Sequence, residues 1–493
     1  MGYLLNSGSG FLKDAVNVAS DVKTYLINKG GYLYDTIRIG INDYGQRVLD
    51  DSGTIEGSSS AAASYKEITK TIFDASSLVL FPSGYKESKV YSHKPIDGSG
   101  DFTYTRGTDT ATRVNEQGLI EKESDGLTDS MPRIDHLGGT ASLLLEPQRT
   151  NQIVDSEDFS TANWEVRSYT LQNNIAVSPE GVSNATKIIP NNGTTDFRIR
   201  TSTVLNSSGD VFDSVFAKYI KGEFQYIVLA STNPQQRYVF DVKNGTKVGS
   251  IGNTAINNEN TIVESYGNGW YRLGIRRSQP GNGKFEIYFS DDGTDVTATG
   301  DGSKGMYVWG AQIEQGATYP TSYIPTYNAS ATRAADVTSV TNVSGLIGQT
   351  EGTIYCEFEY NGAEDTSVYN RIIGLGTGVT QNRIVLAKNN TTAELVAFVV
   401  SGGTNQIFQA ISGTSIIGHH KVAYSYKANE HKVYLDGQLE FTDTSASVPT
   451  TTDVYVGTAE DGTPDKELGG VVKQSIIFKE VLSEDDCKAL TAL

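Results

Sequence analysis

Residues 307–336, YVWGAQIEQGATYPTSYIPTYNASATRAAD, permit few folds. Tyr307, Trp309, Ala311 and Ile313 alternate with Val308, Gly310, Gln312 and Glu314, the period-two pattern of a strand. Pro320 and Pro325 then remove the donors that a sheet ladder needs. The run PTSYIPTY is therefore an extended strap lying against something. Long β-rich regions precede and follow it. The spacing predicts that it closes one β-domain and leads into the next.

The same alternation recurs along the chain. Between residues 151 and 318, ATKIIP, FRIRTSTV, VFDSVFAKYI, YIVLAST, RYVFDV, GWYRLGIRR and KFEIYFSD read as strands of ordinary length. After residue 336, EGTIYCEFEY, RIVLAK, ELVAFVVSG, HHKVAYSY and HKVYLDGQLEF do the same, and Asp436-Gly437 is a tight-turn pair. With 493 residues the chain has room for about three domains. The reading is mainly β: two tandem antiparallel β-sandwiches of the jelly-roll kind after a small mixed α/β N-terminal segment. The boundaries expected are 1–78, 79–150 as a β-rich leader or connector, 151–335 and 336–493.

The first 78 residues differ in character. Leu12, Ala15, Ala19, Val22 and Leu26 have 3-4-3-4 spacing over residues 11–29, a coiled-coil seam of two heptads. That is too short to stand without a partner, and an amphipathic helix packed on its own domain fits the spacing equally. Ile37, Ile39 and Ile41 then mark a strand, 50–63 a linker, and Ile68 and Ile72 a second helix over 64–78. At the other end, Ser483 with Asp486 caps a terminal helix.

Composition excludes several functions. A net charge of -18 repels phosphate backbones and weighs against nucleic acid. No run approaches the ~20 apolar residues of a membrane helix, and no signal pattern opens the chain. A soluble protein without membrane insertion is expected. Cys356 and Cys487 are read as buried, unpaired thiols.

Four groups of phrases carry a resemblance. They are the strap with TRAAD, SEDFSTANW and GNGWYRLGI, and the HKVYLDGQLEF hairpin with its end helix. The fourth is a leader with Arg106, Arg113, Gly118, Pro132, Arg133, Asp135, Glu146 and Arg149–Asn151. Together they resemble tail-fibre and appendage proteins of tailed bacteriophages, in which a jelly roll like a carbohydrate-binding module precedes a laminin-G or concanavalin-like domain. The resemblance implies a non-enzymatic virion protein, assembled in the host cytoplasm. It implies a homotrimer that docks on other virion proteins through residues 1–78 and adheres to a host-surface glycan or protein. The alternatives are a head fibre, decoration or tail component without receptor binding, and a polysaccharide depolymerase.

The resemblance also sets what to look for. A sugar platform calls for an exposed aromatic ring. Trp270 and Trp309 sit among apolar alternating residues and are read as core, which leaves Trp164, in a polar loop, as the sugar-contact candidate. A hydrolase calls for two carboxylates across a cleft. Glu357 and Glu359 share one face of a strand, but the E-x-D-x-x-E pattern is absent and a solvated sheet face is the preferred reading. Asp135-His136 reads as a capping pair rather than a site, and the five histidines form no H-E-x-x-H motif. No cofactor is expected; the acidic turns 290–295 and 461–465 are the places calcium would bind if it does.

Overall fold

Most alternating segments are strands, and their partners lie far away in sequence. The computed structural model describes residues 70–493 except 87, 109, 123–129, 208, 234, 253–260, 278–280, 362–367 and 463–465. It also describes the backbone of four short strands, Lys23–Tyr25, Asn28–Lys29, Tyr32–Leu33 and Arg47–Leu49. The protein is mainly β, built from several antiparallel sheets, and falls into two compact units.

The N-terminal segment departs from expectation where it is described. Lys23–Tyr25 pairs with Arg47–Leu49, and Asn28–Lys29 with Tyr32–Leu33, so residues 23–25 and 28–29 of the expected 11–29 helix are strands. Thr24 and Tyr25 favour strands, and two heptads cannot hold a helix alone. The remainder of the seam, Ile37–Ile41 and the 50–63 linker lie outside the described residues. Within the expected 64–78 helix, Lys70–Ala75 is helical and Ser76–Leu80 joins a sheet; residues 64–69 lie outside the described residues.

One unit comprises residues 1–107, 129–147 and 335–493. Its eight-stranded sheet is centred on Glu351–Tyr360 and Gly470–Phe478, which pair along most of their length. Ser76–Leu80 and Ser142–Leu145 both add to Gly470–Phe478. The nine-stranded sheet includes Phe102–Thr105, paired with Val337–Val340. Leu78, Phe102, Leu143, Phe358, Leu386 and Val422 meet in one core. The stretch 79–150 is thus no separate connector: most of its strands are members of the C-terminal sandwich, and they bury apolar faces that a free linker would leave wet.

Beneath these strands sits a closed ionic network. Asp336 accepts from Tyr104, from the guanidinium of Arg133 and from the Glu146 backbone N–H at 2.9 Å. Arg133 also reaches Glu146 at 2.7 Å. Arg133 and Asp336 are fully buried. Burial and the neighbouring Asp336 hold the Tyr104 phenol protonated, so it serves as a donor. Arg106 donates to the Tyr104 hydroxyl at 2.8 Å and lies 3.8 Å from Asp336, so Arg106, Arg133 and Glu146 from the leader and Asp336 from the end of the strap act together.

The C-terminal helix, Glu484–Thr491, starts as its capping residues predict: Ser483 Oγ accepts the Asp486 N–H at 3.1 Å. Cys487 on this helix and Cys356 in the sandwich core are both buried and unpaired. They belong to different apolar clusters.

The other unit holds residues 108–128 and 148–334. Its larger sheet runs Tyr169–Val177, Ser183–Pro190, Met306–Gln315, Val211–Lys218, Trp270–Arg277, Thr261–Ser265. A six-stranded sheet runs from Trp164–Arg167 to Thr246–Ser250. Leu273, Ile287, Val308 and Phe240 are among the residues of the core. The strap folds back on this unit. Gln312 Oε1 accepts the Ile324 N–H at 2.7 Å, Asn151 Nδ2 donates to the Ile324 carbonyl at 2.9 Å, and Ser156 bonds Thr326.

Candidate sugar-binding pocket

The sequence SEDFSTANW becomes a loop held from below. Phe159 is fully buried and Trp164 is 4% exposed; their rings lie 4.8 Å apart in the core. The Trp164 indole N–H donates to the Asp155 carbonyl at 3.0 Å. Trp164 is therefore not an exposed sugar platform, as its polar surroundings in the sequence suggested. Its N–H found a buried partner, which is the usual fate of a buried indole. Trp270 and Trp309 are also buried, and Trp309 packs on Phe216 and Tyr323.

With Phe159 and Trp164 turned inward, Asp155, Glu157 and Asp158 line the edge of a cavity of about 200 Å3. Asn173, Asn174, Asn184 and Thr186 supply the opposite wall from two paired strands. The pairing shifts register between Gln172 and Ala176, and Asn174 adopts φ 59°. Asparagine tolerates that backbone better than most side chains. The strap contributes Thr326 and Tyr327. Of the two tyrosines in TSYIPTY, Tyr323 is buried and Tyr327 is 57% exposed.

The walls are cross-braced. Glu157 accepts from Tyr327 at 3.0 Å and Tyr323 at 3.3 Å through one oxygen, and from Asn184 at 3.0 Å through the other. Lys122 bonds the Tyr327 hydroxyl at 2.9 Å, and pairs with Glu180 at 2.6 Å and Glu157 at 3.6 Å. Burial works against the Lys122 charge, but Glu157 and Glu180 outweigh it and raise its pKa. Burial and Glu157 push the Tyr327 phenol up to about 12. Burial would raise the Asp155 carboxyl, yet the Asn328 N–H and the Asn163 and Thr161 side chains hold it below its usual value. The pocket thus sets carboxylate acceptors and asparagine amides beside one exposed ring, an arrangement that can bond hydroxyl groups on a small polar ligand.

The other candidates lie elsewhere. Glu357 is fully buried and bonded by His419 at 2.7 Å and by Gln474. Glu359 faces Lys473 at 3.5 Å. The pair does not present two open carboxylates to a substrate. Asp135 caps the Leu137 N–H. In the 290–295 turn, Asp292 and Asp295 accept the N–H groups of Thr294 and Thr297, which accounts for their placement without a cation. Residues 463–465 of the second acidic turn lie outside the described residues. Among the described residues no group of three or more His, Cys, Asp or Glu is placed to hold a metal.

Two histidines carry opposite pH dependences. Burial disfavours charge on His420, but its 2.6 Å bond to Asp436 outweighs that and raises its pKa. The stability it adds is complete below its ordinary value of 6.5 and is lost as pH rises through the folded value. His431, lowered by burial, contributes in the opposite sense. The difference between wild type and Asp436→Asn isolates the His420 contribution. We expect that difference in unfolding midpoint to shrink as pH rises above 6.5; a difference constant with pH removes the linkage.

No protein-family model matches the chain, and no curated protein matches it. Solved structures give distant matches. The CBM40 domain of the Ruminococcus gnavus IT-sialidase is 17% identical with a TM-score of 0.27, over 31% of this chain and 91% of that one. Domain 4 of AbnA, a GH43 arabinanase from Geobacillus stearothermophilus, solved with arabinotriose, is 13% identical with a TM-score of 0.25, over 32% and 73%. A NanB sialidase from Streptococcus pneumoniae is 13% identical with a TM-score of 0.25, over 30% and 26%. Matches of this size transfer no ligand to this chain.

Proposed function

We propose that the chain is a non-catalytic virion protein of a tailed phage, a fibre or appendage subunit that holds a ring of a host-surface glycan in the Asp155–Tyr327 pocket. The observation that carries the glycan reading is Tyr327, an exposed ring fixed by Glu157 and Lys122 at the rim of a cavity walled by carboxylates and amides. An aromatic face packs on the apolar face of a sugar, while the acceptors take its hydroxyls. The cavity is smaller than the ~300–1,000 Å3 of drug-sized sites, which fits one ring of a longer chain. The phage assignment rests on the strap, leader and hairpin phrases of the sequence. On this reading the subunits assemble as trimers, and residues 1–78 dock on other virion proteins.

The test mixes the full-length protein with host cells and with purified surface polysaccharide, followed by product analysis. Saturable binding with polysaccharide of unchanged length is expected. Tyr327→Ala should weaken it about tenfold or more while the protein stays folded, since the ring is 57% exposed. Shortened polysaccharide would transfer the function to a hydrolase. Absence of binding favours a purely structural virion role.

A further inference from the structure

We infer that this pocket accepts sugars that are neutral or carry an amine, and rejects sugars carrying a carboxylate, sulfate or phosphate. The inference rests on the glycan reading above and adds which chemical class of glycan is taken.

The first argument is the balance of donors and acceptors. Asp158 uses Oδ1 for the N–H and hydroxyl of Ser160 at 2.9 and 2.5 Å, and its Oδ2 has no protein donor among the described residues. Asp155 spends one oxygen on the Asn328 N–H and the other on Asn163. Glu157 spends both on Tyr327, Tyr323 and Asn184. An ionised carboxyl has about four acceptor sites and no donor, so the unused capacity of these three carboxylates is acceptor capacity. It is filled by ligand hydroxyls or by an ammonium. A carboxylate, sulfate or phosphate brings further acceptors and leaves the wall unpaired.

The second argument is charge. Lys122 is the cation bonded into the pocket wall, and it is already committed. It is held by Glu180 at 2.6 Å, by Glu157 at 3.6 Å and by the Tyr327 hydroxyl at 2.9 Å. An incoming anion recruits it only by breaking those bonds and leaving Glu180, whose side chain is 3% exposed, buried without its partner. Lys122 and Glu180 cancel as a pair, which leaves Asp155, Glu157 and Asp158 to set the sign of the cavity. Like charges at contact distance in a partly enclosed site repel strongly, and discrimination by repulsion needs no added contact.

The experiment uses the full-length protein and three methyl glycosides that differ at one position: glucoside, 2-amino-2-deoxyglucoside and glucuronide. Binding is measured by ligand-observed NMR in buffer with chelator, so that no divalent cation bridges two carboxylates. The expected order is amine, then neutral, with the glucuronide at least about tenfold weaker. The amine's advantage over the neutral sugar falls as salt is added. Asp158→Asn, at an exposed position, narrows the neutral-to-acid ratio about three- to tenfold with unchanged melting. A glucuronide that binds as tightly as the glucoside overturns this inference and leaves the glycan reading standing. Failure of all three sugars, together with the absence of polysaccharide binding in the preceding test, overturns both.

Discussion

Asp336→Ala is expected to destabilise the unit built from residues 1–107, 129–147 and 335–493 by about 3–5 kcal/mol. The cost comes less from the bonds lost than from what remains. Arg133 keeps Glu146 at 2.7 Å but loses its other anion while fully buried. Tyr104 loses its acceptor, and the Glu146 backbone N–H loses its partner as well. Arg106, whose guanidinium lies 3.8 Å from Asp336, loses the same carboxylate. Asp336→Asn preserves the shape and isolates the charge; it should still cost about 2–4 kcal/mol. Arg133→Leu combined with Asp336→Ala should recover part of the loss, because it removes the stranded cation. Denaturant midpoints measure all three variants. A single-variant cost below about 1 kcal/mol would show that the network contributes shape without electrostatic consequence.

Trp164→Ala should cost the other unit about 3–5 kcal/mol, the range for truncating a large buried aromatic. Phe159 loses its stacking neighbour and the loop 155–163 loses its floor. Trp164→Phe is the more informative change. It keeps a ring in the core but leaves the buried Asp155 carbonyl without the indole N–H, at a cost of about 1–3 kcal/mol. If Trp164 positions the pocket, the Phe variant remains folded and binds glycan about tenfold more weakly. If it serves only the core, stability falls and affinity does not move. Titrating the folded variant separates the two.

The sequence made local structure legible and left long-range placement hidden. Period-two alternation identified most of the strands of both units, and Asp436-Gly437 identified a tight hairpin whose two residues have φ 49° and 81°. Nothing local told Ser76–Leu80 that its partner is Gly470–Phe478, with Ser77 and Ile477 400 residues apart. The leader therefore read as a connector, although its Arg106, Arg133 and Glu146 had already been singled out. The pocket was half legible. SEDFSTANW lines one edge of the cavity, but its two rings, Phe159 and Trp164, turn inward, where an indole can both pack and donate. Tyr323 and Tyr327 share the phrase TSYIPTY, and strict alternation would put them on one side. Pro325 and the bonds from Gln312, Asn151 and Ser156 fix the strap so that one is buried and the other exposed. The bonds from Asn151 and Ser156 come from residues 173 and 170 positions away, so no window of sequence contains them; the Gln312 bond spans 12 residues.

The strand Gly470–Phe478 has a consequence for how the protein is made. It pairs with Ser76–Leu80, Ser142–Leu145 and Glu351–Tyr360. While a ribosome is still adding residues before 470, Ser76–Leu80 and Ser142–Leu145 lack their shared partner, and Glu351–Tyr360 is paired on one edge alone, with Gly418–Lys427. The unit with residues 108–128 and 148–334 is complete much earlier, and domains generally fold as units as they emerge. The inserted unit can therefore reach its native state first, while the apolar strands on either side of it wait with open edges. Synthesis is the interval in which this chain is most exposed to mispairing with its own copies, and it closes only when the strand at 470–478 arrives.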